Sequence, residues 1–269
     1  MPSSSSLPGA QDWSQLPPQR LAQVVGVLTD IDDTLTRDGA IEPDALAALR
    51  RLAQAACPVI AITGRPAGWS EPFALAWPLA AIVAENGGVM LRRASDGSLR
   101  RDFAQVPAQR EANARRLAAC AEAVLREVPG STLARDSAGR LTDIAIDHSE
   151  FAHLSAAQID QVLVVMRAHG LTATVSSIHV NGWIGDHNKW SAAQWAVQET
   201  LGEPLDAAGW LYVGDSTNDQ LMFERMPLSV GVANIARFWA ELRARPAWVT
   251  RGERGAGFAE VAASLLAAR

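Results

Sequence analysis

Short, almost wholly apolar segments set the strongest constraint on what this chain can fold into. Five of them occur, each five or six residues long, at positions 24–28, 58–63, 80–85, 210–215 and 228–232. This length and a high content of β-branched residues are typical of strands that are buried on both faces, as in a parallel sheet. Helical patterns separate the strands, and Pro43 begins the first of them. The alternation predicts an α/β fold with a doubly wound, mostly parallel sheet.

The pattern changes in the middle of the chain and indicates an inserted domain. Residues 90–186 combine a hairpin, two long helical patterns and strands that alternate between apolar and polar residues. We therefore predict an α+β unit at 90–186, inserted into an α/β core made of 21–89 and 187–269. The first 20 residues are rich in Ser, Pro and Gln, which predicts a flexible N-terminal tail.

Composition excludes several classes of function. The net charge is −5 and no run of Lys or Arg stands out, so a dedicated nucleic-acid binder is not expected. No segment approaches the about 18 apolar residues of a membrane helix, and the N-terminus lacks the features of a secretory signal. Cys57 and Cys120 have no disulfide or metal-site spacing and are interpreted as buried apolar residues. A cytoplasmic location is the expectation.

The first chemical signal is TDIDDTLT, at residues 29–36. It places Asp30, Asp32 and Asp33 directly after the first strand, at the edge where open α/β sheets bind ligands. Three carboxylates in four positions repel each other, and such clustering is costly unless a cation or a proton relay uses it. A solvated acidic turn is the simpler alternative for this segment alone.

The second signal is GDSTND, at residues 214–219, after the fourth apolar segment. Taken alone, it could be an Asx-rich turn that leads into a helix. Together with the first acidic loop, however, Asp215 and Asp219 predict a site of hard oxygen ligands suited to Mg²⁺.

Two further segments carry groups that bind anions. Thr63, Gly64 and Arg65 end the second strand, where a hydroxyl and a backbone N–H could hold a phosphate oxygen. Lys189 lies in the first turn of a helix that Asn188 can cap, and a cation at a helix N-terminus makes a good anion site. Each of these segments alone has a simpler interpretation, a strand-to-loop turn in the first case and a surface lysine in the second.

Taken in order, the four segments resemble the motifs of the haloacid dehalogenase (HAD) superfamily. The insertion resembles the large α/β cap of its subclass IIB, the sucrose-phosphatase, trehalose-phosphatase and phosphomannomutase-like branch. ENGG, at residues 85–88, is similar to the asparagine-glycine segment of that branch. Two positions depart from the pattern: Asp33 and Trp190 each stand where many relatives carry glycine.

The resemblance implies a Mg²⁺-dependent phosphatase that acts on a small phosphorylated metabolite, with a sugar phosphate as the expected substrate. Asp30 would attack phosphorus and Asp32 would act as acid and base. Mg²⁺ would be held by Asp30, the backbone carbonyl of Asp32 and Asp215, with Asp219 acting through a metal-bound water. The phosphoryl group would be bound by Thr63, Gly64, Lys189 and Asn218.

Substrate contacts are expected in the cap. On the predicted strand 177–183, His179 and Asn181 share what the alternation indicates is an exposed polar face. That face suits a polyhydroxylated ligand, although it could also be a plain outer surface. The other candidate substrate-binding residues are Arg65, Glu85 and Asn86.

Two other functions are compatible with parts of this sequence, and no feature of it indicates an oligomeric state. A phosphomutase would use the same aspartates but would need arginines in the cap for a second phosphate. Strand 177–183 contains none, which favours a phosphatase, although arginines occur elsewhere in the insertion, at Arg100, Arg101, Arg110, Arg115, Arg116, Arg135, Arg140 and Arg167. A non-catalytic binding protein is disfavoured because every catalytic position of the motifs is filled.

Overall fold

A computed structural model describes residues 7–269 of the chain. Its strands are β1 (Gln11–Asp12), β2 (Gly26–Thr29), β3 (Thr36–Arg37), β4 (Ala40–Ile41), β5 (Val59–Ile62), β6 (Ala81–Ala84), β7 (Val89–Arg93), β8 (Leu99–Phe103), β9 (Thr132–Leu133), β10 (Asp143–Asp147), β11 (Thr172–Val175), β12 (His179–Trp183), β13 (Trp210–Gly214), β14 (Ser229–Gly231) and β15 (Trp248–Val249). Its α-helices are α1 (Pro18–Leu21), α2 (Pro43–Gln54), α3 (Ala67–Ala76), α4 (Pro107–Glu127), α5 (Ala156–Ala168), α6 (Lys189–Leu201), α7 (Gln220–Arg225) and α8 (Arg254–Ala267).

The described chain divides into two compact units. The first consists of residues 7–61, 77–80 and 193–269, and the second of Ile62–Ala76 and Ala81–Ala192. In this division residues 62–76, 81–89 and 187–192 fall in the second unit. The sequence predicted these three segments as part of the core. The division into a core and a cap at residues 90 and 186 stays a prediction.

The first unit contains four of the five apolar strands that the sequence predicts, β2, β5, β13 and β14, together with β1 and β15. They run in the order β1-β15-β14-β13-β2-β5, and each neighbouring pair is parallel. Every residue of β2, β5, β13 and β14 is buried, because helices cover a parallel sheet on both faces. Helix α2 packs against α8 through a buried stripe, which on α2 comprises Ala45, Ala48, Leu49 and Leu52. The predicted α/β fold is confirmed.

The N-terminal segment corrects one prediction. Residues 7–20 are not a tail: β1 pairs with β15, and Trp13 and Leu16 are buried. Trp13 also donates a hydrogen bond from Nε1 to Ser264 Oγ of α8, at 3.0 Å. The Ser- and Pro-rich composition did not indicate order here. Burial of two large apolar side chains offsets the conformational entropy that this segment loses. Residues 1–6 lie outside the described part of the chain.

The second unit contains an antiparallel sheet that the sequence predicts in outline. Its strands run in the order β11-β12-β10-β9, and α4 and α5 contact both this sheet and each other. Helix α5 begins with the predicted cap, since Ser155 and Gln158 form a reciprocal capping box. Its apolar core is formed by Leu117, Cys120, Ala123, Val124, Val128, Ile146, Val162, Val165, Met166, Leu171, Ala173 and Val180.

The predicted hairpin forms, but it does not join that antiparallel sheet. Strands β7 and β8 pair around the turn, with Arg93 opposite Leu99, and β7 pairs with β6. The hairpin therefore extends the sheet edge at β6, and the predicted boundary at residue 90 does not follow the strand pairing. In residues 7–269, no helix combines the length and apolar character that a bilayer crossing requires.

Candidate active site

Asp30 lies at the end of β2 in a tight, hydrogen-bonded turn. Its backbone N–H donates to Val213 O at 2.9 Å, which continues the pairing of β2 with β13. The carbonyl of Ile31 then accepts from the N–H groups of Thr34, Leu35 and Thr36. The side chain of Asp30 is buried, while Asp32 and Asp33 are partly exposed. The turn thus buries the proposed nucleophile and leaves the next two carboxylates nearer to solvent.

The second acidic loop follows β13 and is held by Asp219. Oδ2 of Asp219 accepts from the backbone N–H of Asp215 at 2.9 Å and of Ser216 at 3.1 Å, and Oδ1 accepts from the hydroxyl of Tyr212. Burial and the nearby carboxylates raise the pKa of Tyr212 well above its ordinary value, so this phenol stays protonated and donates. A side-chain carbon at Gly214 would lie 2.5 Å from Asp219 Oδ2, which explains the glycine of this motif.

Three carboxylates of the two loops come together. Asp30, Asp215 and Asp219 are all buried, and each offers an oxygen that lies within 4.8 Å of the others'. Hard oxygen donors at this spacing fit a divalent cation such as Mg²⁺, which would offset their mutual repulsion. The structure thus assembles the aspartates that the sequence predicts as metal ligands. The separate roles of Asp32, Asp219 and Asn218 stay predictions.

Asp33 stands where many relatives carry glycine, and its backbone conformation explains that preference. Its carboxylate has two charged partners. Its φ is +55°, in the left-handed region that favours glycine. Arg254 donates from Nε to Asp33 Oδ1 at 2.6 Å, and Arg237 donates from Nη2 to Oδ2 at 3.0 Å. The sequence reasoning missed both arginines, because they lie about 200 residues away along the chain and belong to no motif. The aspartate in place of glycine was the signal that could have prompted a search for a cationic partner.

Asn234 connects the two acidic loops and was also missed. Its Nδ2 donates to the backbone carbonyl of Asp33 at 2.9 Å and to Asp215 Oδ2 at 3.2 Å. Its Oδ1 accepts from the backbone N–H of Arg254 at 2.8 Å. A buried amide that uses both its oxygen and its nitrogen in this way fixes three loops relative to one another.

In the second unit, Thr63 and Gly64 lie in a hydrogen-bonded turn. The N–H of Thr63 donates to Val83 O at 2.9 Å, so this amide is engaged in strand pairing and is not directed at a ligand. The hydroxyl of Thr63 accepts from Arg65 N at 3.0 Å, which leaves its proton for donation. The carbonyl of Gly64 accepts from Arg140 Nη1 at 3.0 Å and from Asn181 Nδ2 at 3.2 Å.

Lys189 is buried at the first position of α6. The predicted cap is confirmed, since Asn188 Oδ1 accepts from the N–H groups of Trp190 and Ser191, each at 3.0 Å. Burial leaves 3% of Lys189 exposed, so it is not the surface lysine of the simpler interpretation. A buried cation beside the N–H groups of a helix N-terminus is suited to bind an anion.

Arg65 and Glu85 are engaged with the protein itself. Arg65 pairs with Asp136 at 3.1 Å and with Glu150 at 3.0 Å. The carboxylate of Glu85 accepts from the N–H groups of Ala67, Leu141 and Thr142 and from the hydroxyl of Thr142. These bonds explain why both side chains are buried. A structural role is enough to account for the presence of each residue.

The exposed polar face predicted for β12 is wrong. His179 and Asn181 are buried, with 2% and 1% exposed. His179 Nε2 contacts Glu150 Oε2 at 2.9 Å. Burial alone would raise the pKa of Glu150, but the hydrogen bond from His179 and the charge of Arg65 lower it to about 2. Alternation along the strand is correct, but neighbouring loops cover the face that it marks as polar.

Asn86 and Asn181 both approach Gly64. A side-chain carbon at Gly64 would lie 3.1 Å from Asn181 Oδ1 and 3.3 Å from Asn86 Nδ2. Asn86 is buried with φ at +54°, and its Nδ2 has no hydrogen-bond partner among residues 7–269. The second unit therefore brings Thr63, Gly64, Asn86 and Asn181 together, as the first unit brings Asp30, Asp215 and Asp219 together.

Comparison with known proteins agrees with this arrangement. Residues 27–108 match the family described as haloacid dehalogenase-like hydrolase. No curated protein matches the chain by sequence. Among solved structures, a Thermoplasma acidophilum protein is 19% identical with a TM-score of 0.69, and the match covers 90% of this chain and 98% of that one.

Two solved phosphatases have a similar fold. The trehalose-6-phosphate phosphatase C-terminal domain of C. albicans is 16% identical with a TM-score of 0.68, covering 98% of this chain and 99% of that one. The sucrose-phosphatase of Synechocystis, solved with sucrose and phosphate, is 16% identical with a TM-score of 0.64, covering 90% and 98%. At these identities the likeness concerns the fold.

The sheet order and the carboxylate cluster give a core of parallel strands and helices with two acidic loops at the carboxyl edge of the sheet. Over residues 27–108 the chain matches the haloacid dehalogenase-like hydrolases, the family that its motifs resemble, and the solved structures share its fold.

Proposed function

We propose that the protein is a Mg²⁺-dependent phosphatase that hydrolyses a small phosphorylated metabolite through a phosphoaspartate at Asp30. The observation that carries the proposal is the cluster of buried carboxylates formed by Asp30, Asp215 and Asp219. Buried carboxylates within 4.8 Å of one another are unfavourable without a cation. A divalent cation bound there neutralises charge on the transferring phosphoryl group.

Asp30 and Asp32 divide the chemistry. Asp30 attacks phosphorus in line with the leaving oxygen, so that a bond to Asp30 Oδ forms as the ester bond breaks. Asp32 gives its proton to the leaving oxygen and then takes a proton from the water that hydrolyses the phosphoaspartate. The greater exposure of Asp32 supports this role, because its carboxyl group must meet both the leaving oxygen and the incoming water.

The phosphate-binding roles follow the motif order. Thr63 contributes a hydroxyl proton, Lys189 a buried charge, and Gly64 and Asn218 further contacts to phosphoryl oxygens. Asp30, Asp215 and the carbonyl of Asp32 would hold the Mg²⁺, and Asp219 would support the site from the second acidic loop. The hydrogen bonds from Tyr212 and two backbone amides to Asp219 support that positioning role.

The proposed substrate is a sugar phosphate. Its support is the likeness in fold to structures named as sucrose-phosphatase and trehalose-6-phosphate phosphatase. We assign selection of the leaving group to the inserted region 90–186. Asn86 is the candidate contact from the turn after β6, because its buried Nδ2 has no partner in residues 7–269.

The phosphomutase alternative gains no support from the arginines of the insertion. Arg140 is buried and pairs with Asp143 and Asp136. Arg100 pairs with Asp102, and Arg101 pairs with Glu71. Arginines engaged in this way have less capacity to hold a second phosphate, so the phosphatase remains the proposed function.

A phosphate-release screen over sugar phosphates tests the proposal. Activity should require Mg²⁺, stop in excess EDTA and recover better with Mg²⁺ than with Ca²⁺, which prefers more ligands at longer distances. Asp30→Asn should lower turnover by at least about a hundredfold, since an amide is a poor nucleophile. The control is Asp38→Asn, an exposed aspartate that also has a positive φ. Full activity in EDTA, or equal activity of both variants, would contradict the proposal.

A further inference from the structure

The acidic loops carry one more carboxylate than the metal site needs. Asp33 adds a negative charge next to Asp32, in a backbone conformation that costs about 1 kcal/mol or more for a residue with a side chain. Asparagine and aspartate are the side chains that tolerate this region best. An aspartate here is therefore sterically acceptable, but its charge adds to an already repulsive cluster.

Two arginines neutralise that charge. Arg254 and Arg237 bind separate oxygens of the Asp33 carboxylate, as described above. Asp33 also contributes to raising the pKa of Arg254, against the opposing effect of burial. Arg254 itself has a φ of +50°, so its backbone adopts a strained conformation at the position where it meets Asp33.

Arg237 reaches beyond Asp33 to the carboxylate cluster. Its Nη2 lies 3.8 Å from Asp215 Oδ2, and its Nε donates to the carbonyl of Asn234 at 3.4 Å. Asn234 in turn donates to that same Asp215 oxygen. The guanidinium of Arg237 thus lies between Asp33, which is not a predicted metal ligand, and Asp215, which is one. The side chain of Arg237 is 47% exposed.

We propose that Asp33 and Arg237 are positioning residues that set the affinity of the carboxylate cluster for a divalent cation. Arg237 lowers that affinity through its positive charge beside Asp215, and Asp33 limits the effect by binding the guanidinium. Arg254 holds Asp33 in place so that the two charges oppose each other at a fixed distance. The inference rests on the metal site of the proposed function and adds the residues that adjust it.

Calorimetric titration of Mg²⁺ into the purified protein tests this inference without any substrate. Arg237→Gln should tighten binding by about threefold to tenfold, and Asp33→Asn should weaken it by a similar factor, because charges about 4 Å apart that solvent screens interact by about 1 kcal/mol. The double variant should bind with an affinity close to that of the unchanged protein. Asn at position 33 keeps the left-handed backbone accessible, and Arg237 is half-exposed, so both variants should fold.

Arg251→Gln is the matched control, because Arg251 is an exposed arginine of the same unit that pairs with Asp12. It should leave the Mg²⁺ dissociation constant unchanged. Unchanged or weaker binding by Arg237→Gln, with binding by the unchanged protein intact, would overturn the inference alone. A lack of Mg²⁺ binding by the unchanged protein would instead overturn the metal requirement of the proposed function.

Discussion

Gly214 is the residue with the clearest steric requirement in the candidate active site. A methyl group there would meet both Oδ2 and Cγ of Asp219, at 2.5 and 2.6 Å. Gly214→Ala should therefore displace the Asp219 carboxylate from its two backbone donors. We expect a loss of about 1–3 kcal/mol in the free energy of unfolding, measured by urea denaturation, together with weaker Mg²⁺ binding.

Gly209→Ala is the matched control, at the residue just before the same strand. A methyl group there would lie 3.6 Å or more from its neighbours, which is ordinary contact. Both properties should be nearly unchanged in this variant. Equal effects of the two substitutions would show that glycine itself, and not the approach to Asp219, matters in this strand.

Glu150 predicts how stability depends on pH. Its pKa is about 2 in the folded protein, below the ordinary value of 4.5. A depressed pKa means that the unfolded chain binds more protons in acid, so the stabilisation is present above about pH 5 and is lost as the pH falls towards 2. The difference in unfolding free energy between the unchanged protein and Glu150→Gln should shrink across that range in urea titrations. A difference independent of pH would contradict the ion-pair account.

At the residue scale, the sequence predicts the acids but not their partners. Asp30, Asp215 and Asp219 were predictable because parallel strands bring their carboxyl ends to one edge. Arg237 and Asn234 were not, because only the folded chain brings them beside Asp33 and Asp215. The burial of His179 was missed for the same reason, since Glu150 comes from a loop that the strand pattern does not include.

At the scale of elements, the N-terminal segment provides a test of what holds the fold together. Trp13 is buried beside α8 and donates to Ser264. Trp13→Ala should lower the free energy of unfolding by about 3–5 kcal/mol, as for other large core truncations. Trp13→Phe keeps most of the apolar contact but loses the hydrogen bond, and should cost about 1 kcal/mol.

Val25→Ala serves as the control, because 53% of Val25 is exposed. This substitution should change the unfolding free energy by no more than about 0.5 kcal/mol. Equal stability of Trp13→Ala and Val25→Ala in chemical denaturation would show that the burial of Trp13 does not stabilise the fold.

Elements with a strong pattern were the most predictable. The apolar strands β2, β5, β6, β13 and β14 follow from length and composition, and α5 follows from its cap and periodicity. Strand β1 is two residues long and carries no apolar pattern. Its pairing with β15 depends on a contact between the two ends of the chain, which local sequence cannot show.

At the scale of the whole molecule, the order of the motifs carried more information than any one of them. Each motif has a simple structural alternative, but together they indicated the family whose description matches residues 27–108. The bounds of the insertion stay a prediction. Its sheet could not be predicted from local pattern, because the hairpin of β7 and β8 pairs with β6, and the antiparallel sheet of the second unit begins at β9.

The covalent step at Asp30 is the central claim, and acid-quenched peptide mapping tests it most directly. The protein would be mixed with Mg²⁺ and a sugar phosphate that it hydrolyses. The reaction would be quenched in acid within the first turnovers, and the digested protein analysed by mass spectrometry. We predict one phosphoryl group on the peptide that contains Asp30 in the unchanged protein, and none in Asp30→Asn. Phosphate release by Asp30→Asn at the rate of the unchanged protein, or a phosphoryl group on another residue, would contradict the account.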